Sequence, residues 1–148
     1  MEKNLIIEQS VMYTFETSLR VRYGETDQMG YVYYGNYPLY YEVGRTEMLR
    51  SVGLTYRAME EAGILMPVHS LSIKYIEPAR YDDLLRLRVI IKELPMAKIH
   101  FFYEIYNEQD KLVNTGETVL VFVDAKTRRP RRAPEMLMNE LKKHFQEE

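Results

Sequence analysis

The stretch Asn36-Tyr37-Pro38-Leu39-Tyr40-Tyr41-Glu42-Val43-Gly44-Arg45-Thr46-Glu47-Met48-Leu49-Arg50-Ser51-Val52 sets how the rest of the chain can be arranged. Tyr37, Tyr40, Tyr41, Gly44, Met48 and Leu49 recur at helical spacing, while Glu42, Arg45, Glu47 and Arg50 are charged. Asn36 can cap a helix here, Pro38 stands where a first-turn proline is tolerated, and Gly53 can end it. About 17 residues at ~1.5 Å each make a rod of roughly 25 Å. Gly44 in mid-helix costs about 1 kcal/mol relative to alanine, which a close approach of the helix to a sheet would explain.

Upstream of this rod, residues 13–23 are rich in β-formers and predict a first strand, and residues 24–35 predict a loop. Downstream, residues 55–62 predict a short helix closed by Gly63. Four strands then follow, at 67–75, 84–94, 98–106 and 112–124. In the second of these Leu85, Leu87, Val89 and Ile91 alternate with Arg86, Arg88 and Lys92, so one face is wet. Residues 107–111 predict a hairpin loop, Gly116 a bulge, and residues 134–145 a terminal helix. Sequential strands joined by tight turns favour an antiparallel sheet with the long helix on one face. The expectation is one α+β domain over residues 1–148, with chemistry at the helix N-terminus and the loop before it.

Composition narrows the functions available. The 148 residues are 46% hydrophobic, enough for one domain to bury a core. With no cysteine, disulfides, thiolate zinc sites and cysteine nucleophiles are excluded. The start, MEKNLIIEQSVMYTFE, carries charges too early and too often for an export leader. No apolar run approaches the roughly 18 residues of a membrane span, so a soluble cytoplasmic protein is expected. A net charge of −2 gives no global pull towards nucleic acid. Thirteen tyrosines against no tryptophan suit strands and the walls of half-polar clefts.

The loop Glu25-Thr26-Asp27-Gln28-Met29-Gly30-Tyr31-Val32-Tyr33-Tyr34-Gly35-Asn36 carries two useful ingredients. Asp27 is a carboxylate in a glycine-flexed, mostly uncharged loop. Tyr34-Gly35-Asn36 leads into the helix, where free N–H groups and the positive dipole end collect. Together they could hold a thioester, the N–H groups polarising its carbonyl and the carboxylate attacking it or activating water. Composition and spacing alone are equally met by a solvated aspartate beside a helix start.

The segment 21–30, Val-Arg-Tyr-Gly-Glu-Thr-Asp-Gln-Met-Gly, with Gly35-Asn36-Tyr37 and the run 42–49, Glu-Val-Gly-Arg-Thr-Glu-Met-Leu, closely resembles the 4-hydroxybenzoyl-CoA thioesterase family. A second block, Tyr75-Ile76-Glu77-Pro78-Ala79-Arg80-Tyr81-Asp82-Asp83-Leu84, is similar to that family's entry into its next strand. The resemblance implies a hot-dog fold, in which a five- to six-stranded antiparallel sheet wraps a long central helix and two subunits pair their sheets. It implies hydrolysis of acyl-CoA thioesters with no metal or redox cofactor. By position, Asp27 becomes the catalytic carboxylate and Tyr34 the residue whose backbone N–H polarises the carbonyl. Many bacterial members carry a histidine where this chain has Tyr34. Gly30, Tyr33, Gly35, Tyr37 and Lys98 are the candidate substrate-binding residues. Where aromatic-acyl relatives have a basic run for the nucleotide phosphates, Leu94-Pro95-Met96-Ala97-Lys98 offers Lys98 alone.

Other residues read more plainly. Arg128-Arg129-Pro130-Arg131-Arg132 could meet phosphates or an acidic carrier protein, or be a solvated turn. Glu42 and Glu47 read as ion-pairing positions on the helix face. His69, His100 and His144 are scattered, without carboxylates at metal-ligand spacing, and His69 reads as partly buried. Two rivals remain: a non-catalytic acyl-CoA-binding dimer, and a dehydratase of 3-hydroxyacyl thioesters, which would need a histidine this loop lacks. A lone sheet leaves an edge exposed, so a homodimer, or a tetramer of two dimers, is expected.

Overall fold

A computed structural model describes residues 13–146. The reading of the chain's start as no export leader rests on residues 1–12 and falls largely outside the described residues. The strands are β1 (Tyr13–Arg20), β2 (Ile64–Leu65), β3 (Val68–Tyr75), β4 (Leu84–Ile91), β5 (Lys98–Tyr106), β6 (Leu112–Asp124) and β7 (Pro130–Arg131). The helices are α1 (Tyr37–Ser51), α2 (Tyr56–Glu61) and α3 (Glu135–Gln146), with 3-10 turns at Tyr23–Glu25 and Tyr34–Asn36.

Strand alternation builds the core. Leu85, Leu87, Val89 and Ile91 of β4 share a face with Ile99, Phe101, Tyr103 and Ile105 of β5, and all eight are buried. The long strands pair antiparallel in the order β1-β4-β5-β6-β3. Short β2 and β7 pair with the far end of β6, making seven strands where five or six were expected. Strands of two residues are too short to carry a period, which is why the sequence does not announce them.

The helix α1 lies on the buried face of this sheet. A Cβ at Gly44 would stand 2.8 Å from Val89 Cγ2, so the missing side chain lets the rod press onto β4. Gly53 and Gly63, at φ +88° and +83°, end α1 and α2 in the left-handed conformation that glycine adopts freely. Asn36 does not cap α1 with its side chain. Its Nδ2 instead donates to the Glu25 carbonyl at 2.8 Å, tying the loop to the helix start.

Gly116 is not a bulge. Its pairings with Tyr103 and Ile73 continue the ladders on both sides. A Cβ there would lie 2.5 Å from the Tyr41 ring, which crosses the strand and stacks on Tyr103 at 4.2 Å and 3°. The bulge falls instead at Val113, where register passes from Ile105–Asn114 to Tyr106–Leu112. The tyrosines therefore form a polar seam inside the core. Tyr41 donates to Asn114 Oδ1 at 2.6 Å, and Tyr103 and Thr118 share a 2.7 Å bond. Arg45, expected among the charged positions of the helix, is only 8% exposed and donates to the Tyr56 hydroxyl at 3.0 Å. Glu47 pairs with Arg50 at 3.4 Å, whereas Glu42 has no ion pair among the described residues. No helix among the described residues is long and apolar enough to cross a membrane.

Candidate active site

The loop before α1 is a tight, ordered device. Gly30 N–H donates to the Asp27 carbonyl at 3.0 Å, and Asp27 N–H donates to the Tyr31 carbonyl at 2.8 Å. Gly30 closes this turn at φ +82°, which explains glycine at that position. Bridges from Thr26 to Val32 and from Tyr31 to Arg80 brace the turn from both sides. Asp27 Oδ1 accepts from the N–H groups of Met29 at 2.9 Å and Tyr31 at 3.2 Å. That fixes the carboxylate and leaves Oδ2 without a hydrogen-bond partner among the described residues.

Glu25 anchors the loop to the helix. Burial pushes its carboxyl up, but bonds from Arg22 and the Tyr40 hydroxyl outweigh this and hold it below the usual range. The contacts are 2.8 Å from Arg22 N–H, 2.9 Å from Arg22 Nη2 and 3.0 Å from Tyr40.

Asp27 lines a cleft of about 320 Å³ with Met29, Tyr31, Tyr34, Tyr37, Tyr75 and Glu77. A second hollow, of about 640 Å³, is also lined by Asp27, together with Tyr23, Gly30 and Tyr81. Tyr34 and Gly35 open the 3-10 turn that runs into α1, so their N–H groups have no acceptor within it. Tyr37 is 3% exposed; burial, with Tyr75 close by, pushes its phenol up to about 12. It is therefore protonated at neutral pH.

The structure thus brings Asp27, Tyr34 and Tyr37 to one cleft. Tyr33 does not line it: its ring folds over Gly35, where a Cβ would meet it at 2.8 Å, and lies 4.7 Å from the Tyr34 ring. Lys98 is exposed at the start of β5, opposite Val121. Val121 lies seven positions along β6 from Asn114 beside the cleft, roughly 23 Å at strand rise. Arg128-Arg129-Pro130-Arg131-Arg132 lies near that same distant end of β6, at β7. Within this chain neither basic feature reaches Asp27. His69 is exposed rather than partly buried, and no histidine lines the cleft. Tyr75, Ile76, Glu77 and Pro78 form the opposite wall. Their block was legible only as the approach to a strand. The fold makes it a cleft wall by ending β3 beside the loop. A groove of about 460 Å³ crosses the outer face of the sheet but shares no residue with Asp27's cleft.

Against known families, the model of the Thioesterase-like superfamily matches residues 21–141. The chain belongs to this superfamily. It is 33% identical over 128 residues to the acyl-CoA thioester hydrolase YbgC of Escherichia coli, spanning 86% of this chain and 96% of that protein. Among solved structures it superposes on the DHNA-CoA thioesterase of Staphylococcus aureus with a TM-score of 0.78, at 33% identity over 80% of each chain. The hypothetical protein TT1821 of Thermus thermophilus matches with a TM-score of 0.82 at 31% identity, over 89% of this chain and 98% of that one. The α+β architecture is thus the hot-dog fold of the superfamily, with the sheet curved around α1.

Proposed function

We propose that this protein is an acyl-CoA thioesterase of the 4-hydroxybenzoyl-CoA thioesterase type, with Asp27 as its catalytic carboxylate. The observation that carries the reading is the shared cleft of Asp27 and the Tyr34 turn, with one carboxylate oxygen fixed and the other free. The thioester carbonyl rests on the N–H groups of Tyr34 and Gly35, which stabilise the oxyanion as charge develops. Asp27 acts in one of two ways. As nucleophile, its oxygen bonds to the carbonyl carbon, the C–S bond breaks, CoA leaves as thiolate, and water hydrolyses the mixed anhydride. As general base, it takes a proton from water as the water attacks, and that proton passes to the departing sulfur. Single-turnover hydrolysis in 18O-water separates the two, because label enters Asp27 only through the anhydride.

Tyr37 stays protonated and lines the acyl side of the cleft; Gly30 serves by its positive φ, and Gly35 by its N–H and by the room it leaves for the Tyr33 ring. The chain works as a homodimer, or a tetramer of two dimers, in the cytoplasm. The assembly is supported by the free edge of β3, where Val68 and Leu71 are exposed, and by exposed Leu39 and Val43 on α1. Lys98 would contribute to substrate binding only across subunits. A panel of acyl-CoA thioesters assayed for free thiol tests the reading, since neither a binding protein nor a dehydratase releases CoA. Sedimentation as a monomer at micromolar concentration would refute the assembly.

A further inference from the structure

We propose that Tyr75 is a positioning residue, whose phenol holds in place the backbone turn that receives the thioester carbonyl; this rests on the thioesterase reading above. Tyr75 is the last residue of β3 and pairs with Asn114, on the inward side shared with Ile73 and Gly116. Its hydroxyl donates to the carbonyl of Tyr34 at 3.1 Å, across 41 residues of sequence. The ring packs edge-on to Tyr37 at 5.7 Å and to Tyr34 at 6.4 Å.

The bulge supplies the aim. With Val113 left as the extra residue of β6, the N–H groups of Ile76 and Glu77 both donate to its carbonyl, at 2.9 and 3.0 Å. The chain therefore leaves the ladder immediately after Tyr75, and the side chain is directed along the cleft towards the start of α1. The Tyr34 carbonyl shares one rigid peptide plane with the Gly35 N–H, one of the two donors assigned to the substrate, so a bond to that oxygen orients the N–H on the plane's other side. Tyr75 is 49% exposed and adds little to the core, so its worth lies in the turn.

The test compares Tyr75→Phe with wild type in CoA release, in thermal melting and in amide hydrogen exchange over peptides spanning residues 31–37. The expected result is a kcat lower by about three- to tenfold, the scale of one net hydrogen bond. KM should stay within about twofold, melting should be unchanged, and exchange over the turn should be several-fold faster. Tyr75→Leu, which also removes the ring from the cleft wall, should match that loss in kcat and raise KM in addition. Wild-type kcat together with wild-type exchange in Tyr75→Phe would overturn the proposal. So would a loss of kcat accompanied by a proportionate fall in melting temperature, which would mark a general structural role. If wild type releases no CoA from any thioester, the functional reading fails, and faster exchange in Tyr75→Phe still decides the positioning role.

Discussion

Replacing Gly116 with alanine asks whether the tyrosine seam is as tightly packed as its geometry implies. The new Cβ would lie 2.5 Å from Tyr41 Cε2 and from its hydroxyl oxygen, over 1 Å inside ordinary contact. Tyr41 has nowhere to go. It is fully buried, stacked on Tyr103 at 4.2 Å, and bonded to Asn114 at 2.6 Å. Overpacking of this kind costs about 1–3 kcal/mol. If the ring shifts enough to break its bond to buried Asn114, about 1–3 kcal/mol more is lost. Against this, alanine stiffens the unfolded chain by about 0.4–1 kcal/mol. With the bond broken the net destabilisation is about 1–5 kcal/mol, a fall in Tm of about 3–20 °C for a chain of this size. Calorimetry at matched protein concentration reads it directly. In a Tyr41→Leu background the clash is gone, so Gly116→Ala should then cost under about 1 kcal/mol. Gly116→Ala as stable as wild type, or equally costly in both backgrounds, would refute the packing account.

Three further outcomes follow from the same geometry. Gly44→Ala gains about 1 kcal/mol of helix propensity but meets stiff Val89 at 2.8 Å, so it should destabilise by up to about 2 kcal/mol, and Val89→Ala should relieve part of that in a double-mutant cycle. Gly30→Val, which puts a β-branched residue at φ +82°, should cost about 1–2 kcal/mol and lower CoA release by distorting the Asp27 turn. Glu25→Gln should destabilise at neutral pH, because the folded-state carboxyl lies below its unfolded value. That contribution is present above the unfolded pKa and disappears as pH falls through the folded one. The gap in Tm between the two proteins should therefore narrow as pH falls below the unfolded glutamate value of about 4.3, and a gap that does not depend on pH would contradict the assignment.

The helix and all five long strands were legible in the sequence, most clearly where the period is long and clean. Leu85, Leu87, Val89 and Ile91 could belong only to a half-buried strand. Gly44 was read correctly as a close approach, since a helical glycine has few other reasons to be tolerated. Gly116 was misread as a bulge because the large residue it accommodates, Tyr41, lies 75 positions away in sequence. Arg45 looked solvated for a similar reason. Its burial depends on Tyr56 and Tyr103, which helical periodicity does not report. Of the site, the pattern located Asp27, Tyr34 and Tyr37, but the opposite wall from Tyr75 to Pro78 needed the ladder between β3 and β6 to bring it across. Lys98 shows the converse: a residue chosen by position along the chain stands at the far end of the sheet from the cleft.

Asp27→Asn tests the central claim most directly. The amide oxygen can take over the role of Oδ1, accepting from Met29 and Tyr31, so the turn and the cleft should keep their shape. What is lost is the charge, and with it both the nucleophile and the base. Melting should stay within a few degrees of wild type, while kcat for CoA release falls by about three orders of magnitude or more. Near-normal turnover by a folded Asp27→Asn protein would contradict the account.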